Sequence, residues 1–116
     1  MRTIDILEKV SAMNLEYGDT VNIDGVEVMY SDQIDIAVGF FIEVLADVKS
    51  LRGWKIPSKE VIANYVDLYN SGSKDVPSIF IDYATNEILD GNHRVGMAKK
   101  LKLKQLKAWA YIGDEI

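Results

Sequence analysis

Five residues, Asp90-Gly91-Asn92-His93-Arg94, separate a strand-like segment, Glu87-Ile88-Leu89, from a helix-like one at 95–101. No other stretch restricts the fold so much, because a strand must hand over to a helix within one turn. Such a turn leaves several backbone N–H groups unpaired at the helix start, where the positive end of the helix dipole also lies. The expected guest is an anion, and phosphate is the first choice. Gly91 permits a backbone angle or a close approach that a Cβ would forbid. Asn92 either caps the helix or donates its amide to a phosphate oxygen. His93, the only histidine in the chain, has a ring N–H to donate, and Arg94 carries a planar fork that matches phosphate oxygens two at a time. Asp90 makes sense beside phosphates as a ligand of Mg²⁺ or as a base toward a hydroxyl, and otherwise as a turn-forming side chain. Glu87 is a second carboxylate on the same approach.

The rest of the chain supplies the frame. Residues 4–13 carry Ile4, Leu7 and Val10 at helical spacing. Two alternating segments flank Asp24-Gly25, a pair that favours a tight hairpin. From Ser31 the polar positions Asp32, Asp35, Gly39, Glu43 and Asp47 recur every three or four residues. That spacing predicts a helix over 31–50, apolar on most sides, which is either wrapped by the rest of the domain or shared with a second subunit. Gly53 and Trp54-Lys55-Ile56-Pro57 break it, Ser58 opens another helix, and the polar stretch 70–75 ends that one. A strand over 77–82, a turn over 83–86, the strand at 87–89, the helix from the motif to about Lys102 and a strand over 106–112 complete the chain. Strands and helices mixed without regular alternation predict an α+β fold. Its 116 residues fit one domain: helix and hairpin over 1–30, helical over 31–72, and a motif-bearing β-α-β part over 77–112.

Composition narrows the chemistry. The chain has no cysteine, so disulfides, thiolate metal sites and cysteine nucleophiles are excluded. No stretch approaches the ~20 apolar residues that span a bilayer, and no signal-peptide core opens the chain, so a cytoplasmic protein without membrane contact is expected. A net charge of −5 opposes broad attraction to nucleic acid. The charges are unevenly spread, however, since Lys99, Lys100, Lys102, Lys104 and Lys107 crowd together directly after the motif. Lys99, Lys100 and Lys102 are the candidate nucleic-acid contacts, with solvation of a helix end as their plainer role. Lys107, Trp109 and Tyr111 share one face of the last strand by alternation, a layout that either stacks bases or fills a core.

The last forty or so residues resemble the ParB/sulfiredoxin-like superfamily, which includes ParB-like nuclease domains. The resemblance rests on the strand Pro77-Ser78-Ile79-Phe80-Ile81, the run Ile88-Leu89-Asp90-Gly91-Asn92-His93-Arg94, the helix with Ala98 and Leu101, and the closing strand. It implies a small mixed sheet packed with helices and a nucleotide pocket at the turn, with ATP or CTP as ligand, Mg²⁺ as cofactor, and Gly91, Asn92, His93 and Arg94 on the phosphates. Asn92 stands where sulfiredoxins carry their reactive cysteine, so sulfinic-acid reduction is not expected. Full partition proteins of this type add a helix-turn-helix region to the fold, and centromere-type reading is not expected of these 116 residues. Asp90-Gly91 does match the opening of the turn in related free-serine kinases, which keeps phosphoryl transfer or NTP hydrolysis open, with Asp90, His93 and Glu87 as the catalytic candidates. An enzyme of this kind would be a kinase, nucleotidase or nuclease. The competing expectations are a DNA-binding or nuclease-type protein and a non-enzymatic protein of a mobile element or phage, dimeric through 31–50.

Overall fold

The computed structural model describes residues 2–33, 35–53, 58–72 and 77–114. In chain order it contains α1 (Thr3–Ser11), β1 (Thr20–Ile23), β2 (Val26–Ser31), β3 (Gly39–Asp47), a 3-10 turn (Val48–Ser50), α2 (Lys59–Asn70), β4 (Ile79–Asp82), β5 (Ile88–Asp90), α3 (Asn92–Lys100) and β6 (Gln105–Gly113). The six strands form one sheet in the order β1-β2-β3-β6-β4-β5. Every neighbouring pair is antiparallel except β4 and β6. Parallel partners need a crossover, and α3 provides it. The α+β expectation therefore holds, with a mixed sheet.

Local chemistry explains most of these elements. Asp24 and Gly25 both take positive φ, at 51° and 89°, as a type I′ turn requires. The Asn22 side chain accepts the Gly25 N–H at 2.9 Å. Ser58 caps α2 by accepting the Val61 N–H. In the β4–β5 turn, the Asp82 carboxylate accepts from the N–H groups of Ala84 and Thr85.

The predicted helix over 31–50 is not formed. Residues 39–47 are β3, an inner strand between β2 and β6, so among the described residues the 31–72 stretch is helical only from Lys59 to Asn70 and in the short 3-10 turn. The polar spacing misled because Gly39, Phe40, Phe41 and Ile42 are all buried. A strand covered on both faces reads as a continuous apolar run, indistinguishable by period from a buried helix. Beyond Ile42 the strand's own period shows, with Glu43, Leu45 and Asp47 exposed and Ala46 buried. Both edges of β3 are paired within the sheet. The break at 54–57 and the end of the polar stretch at 73–75 lie outside the described residues.

One sheet face carries the core. Val28, Phe40, Ile42, Ile79, Ile81, Ala108 and Ala110 meet Ile6 and Val10 of α1 and Val95 and Ala98 of α3. The small side chains of Ala108 and Ala110, both fully buried, let α3 approach the sheet closely. On the other face Phe41 contacts Phe80 edge-on and Tyr111 at a tilt, with ring centroids 5.5 and 5.3 Å away. Helix α2 packs on α3 and has no fully buried residue. Among the described residues, no helix is long and apolar enough to cross a membrane.

Tyr111 gives this second face a pH signature. Its hydroxyl donates to the Val38 carbonyl at 3.0 Å. Burial, and then the charges of Asp114 and Asp82, push its ionisation above the usual 10.0. A pKa raised in the folded state means that the native protein holds its proton longer than the unfolded chain. Stability from this group is therefore complete below pH 10 and is lost as pH rises through the folded value. Urea melts between pH 9 and about 11.5 should show this decline, and Tyr111→Phe should remove its share of the slope.

Candidate functional site

The strand-to-helix turn is built around Gly91. This residue is the N-cap of α3, with φ 102° and ψ 23°. A Cβ placed there would lie 2.7 Å from Cγ2 of Ile79. Glycine is thus needed twice, for the left-handed backbone and for the seat of α3 on β4. The first intrahelical bond runs from the Val95 N–H to the Gly91 carbonyl. Among the described residues, the N–H groups of Asn92, His93 and Arg94 have no acceptor, and no side chain caps the helix. Asn92 is the first helical residue rather than the cap, so it does not take the capping role. Asn92 and His93 are half-buried, and their side chains make no hydrogen bond among the described residues.

Arg94 does more structural work than its position in the sequence suggests. Its Nη1 donates to the carbonyls of Ser78 at 2.6 Å and Pro77 at 3.3 Å. Its Nη2 meets Asp90 Oδ2 at 3.4 Å. The Arg94 side chain is 16% exposed and that of Asp90 53%, so the ion pair is weak and wet. The two carbonyl contacts tie α3 to the entrance of β4 and occupy one nitrogen of the fork. Nε and the remaining N–H of Nη2 have no acceptor among the described residues.

The other candidates spread outward from this point. Asp90 ends β5, pairs with Phe80 in register and stands directly before Gly91. Glu87 directly precedes β5, where its backbone pairs in a parallel β-bridge with that of Arg52 and its N–H donates to the Thr85 hydroxyl. Among the described residues no group of three or more His, Asp or Glu side chains gathers around a point. Asp90 alone therefore fits Mg²⁺ only as an ion shared with bound phosphates, the usual way this ion is held at nucleotide sites.

Lys99 and Lys100 close the last turn of α3 and Lys102 follows it, at the opposite end of the helix from Gly91. They line two open grooves of about 640 Å³ each. One lies between the 3-10 turn and the α3–β6 connection, and the other between α2 and α3. Trp109 and Tyr111 occupy the sheet face opposite α3, in register with Glu43 and Phe41. Lys99, Lys100 and Lys102 are thus on the α3 side of the sheet, whereas Lys107 shares the face of the two aromatics. Lys49 joins the lysines because the Val48 N–H donates to the Lys104 carbonyl. That bond leaves no trace in a side-chain pattern.

No protein-family model matches the chain, and no curated protein matches it. Among solved structures it is similar to a Pnob8-like ParB-N domain, with 17% identity and a TM-score of 0.48, over 61% of this chain. The chain spans 30% of the length of that structure.

Proposed function

We propose that the protein binds a nucleotide by its phosphates at the start of α3. One observation carries this reading: three consecutive amide N–H groups, those of Asn92, His93 and Arg94, stand unpaired among the described residues behind a left-handed glycine. A nine-residue helix adds its dipole at this end, and anions are favoured there. The half-buried His93 ring and the two remaining donors of Arg94 supply further hydrogen bonds. The resemblance of the Asp90–Arg94 run to the ParB/sulfiredoxin-like turn supports a nucleotide over a simple phosphate, with ATP or CTP as the ligand to try first. In the phosphoryl-transfer form of this proposal, Asp90 shares a Mg²⁺ ion with the phosphates, or accepts a hydroxyl proton, and Glu87 stands behind it. The nucleic-acid reading has weaker support, since Lys99, Lys100 and Lys102 lie on the α3 side of the sheet and Lys107 alone shares the face of Trp109 and Tyr111.

Calorimetric titration with ATP, CTP and ADP, each with and without Mg²⁺, tests the proposal. At least one nucleotide should bind. His93→Ala should weaken that binding by about tenfold, the worth of one hydrogen bond to a charged group. Absence of heat with all three nucleotides would overturn the proposal. Arg94→Ala is a poor probe, because it also releases the carbonyls of Pro77 and Ser78.

A further inference from the structure

We propose that a second anion site, at the C-terminal end of α3, takes a compact polyphosphate. The groove there holds about 640 Å³, within the range of small-ligand sites. Its rim brings together Lys49 from the 3-10 turn, Lys99 from α3, and Lys102 and Lys104 from the connection to β6, over a floor of Val48 and Leu103. Asp47 is the single carboxylate among the lining residues, and it already accepts from the Gln105 side chain at 3.3 Å. None of the four lysines forms an ion pair with a described residue.

Two features set this groove apart from an ordinary solvated surface. The first is charge. The chain carries five more acidic than basic side chains, yet here four cations face one acid across a concavity. Such an arrangement repels itself and raises the local concentration of anions. The second is the backbone. Lys102 has φ 58°, directly after the helix end, where glycine or asparagine is the favourable choice. A lysine in this conformation is held at a local cost, and Lys102 is one of the residues that line the groove.

The ligand chemistry follows from what lines the site. Ammonium groups on flexible stems suit a compact, multiply charged anion better than a flat carboxylate. No aromatic side chain lines the groove, so a base has nothing to stack on. A linear di- or triphosphate meets these conditions. This site is separate from the amides at Asn92 to Arg94, which lie at the other end of the same helix.

The probe is inorganic tripolyphosphate, titrated into ¹⁵N-labelled protein at low salt while amide shifts are followed. Saturable shifts are expected at Val48, Lys49, Lys99 and residues 102–104. The triple variant Lys99→Gln, Lys102→Gln and Lys104→Gln changes only exposed side chains. It should keep its fold by circular dichroism and weaken that binding by at least about tenfold, each exposed contact contributing about two- to threefold. His93→Ala should leave these shifts in place. The proposal is overturned if saturable shifts are confined to Asn92, His93 and Arg94, or if the triple variant binds as the parent does. It is also overturned if random-sequence duplex DNA moves the same amides at lower concentration in about 150 mM salt, which would make the surface one for nucleic acid.

Discussion

Phe41→Ala is expected to destabilise the protein by about 3–5 kcal/mol, the usual range for truncating a buried aromatic ring. The residue is fully buried on an inner strand, and its ring is held between those of Phe80 and Tyr111. Losing it removes apolar burial and two ring contacts, and it leaves a cavity that paired strands on both sides keep from collapsing. A small domain has only about 5–15 kcal/mol of stability in total, so the loss is a large share. Urea denaturation at neutral pH measures it. Leu45→Ala, on the same face of the same strand but 64% exposed, should change stability by no more than about 0.5 kcal/mol. Similar losses at the two positions would mean that this sheet face is covered along its whole length.

That comparison touches the place where the sequence was least informative. The elements that could be read from it owe their form to near neighbours. Asp24 and Gly25 make the hairpin by their own φ values, Ser58 caps α2, and Gly91 passes the chain from β5 to α3. The strand β3 owes its form to partners distant in sequence. Gly39 needs glycine because a Cβ would meet the Gly113 carbonyl oxygen at 2.5 Å, and nothing near Gly39 announces that contact. The consecutive buried residues Phe40 and Phe41 belong to opposite faces of the sheet, which a helical period absorbs without contradiction.

The candidate site divides in the same way. Its helix start and its glycine are local and were legible. The commitment of Arg94 to the carbonyls of Pro77 and Ser78 was not, because a main-chain acceptor has no side-chain signature. Nor was the meeting of Lys49 with the lysines around α3, which depends on a backbone bond between two connections.

Gly91→Ala should cost about 2–5 kcal/mol, the second large effect, and it bears directly on the phosphate site. Two terms contribute. An L-residue at positive φ loses about 1–2 kcal/mol, and a methyl pressed against the buried Ile79 adds overpacking strain of about 1–3 kcal/mol. Gly18→Ala isolates the first term, since Gly18 has φ 95° and open space where the Cβ would point. It should therefore cost about half as much. Gly91→Asn separates the terms differently, because asparagine tolerates the left-handed region better than alanine does. If contact with Ile79 dominates, asparagine rescues little of the loss. Full rescue would mean that backbone conformation alone selects glycine and that α3 has room to shift off β4. The same variants bear on function. A start of α3 pushed away from Ile79 moves the amides of Asn92, His93 and Arg94 as a unit. Nucleotide affinity should then fall in Gly91→Ala and stay unchanged in Gly18→Ala, with both measured below the melting temperature of the weaker variant. If the two variants bind nucleotide alike, the ligand does not rest on those amides.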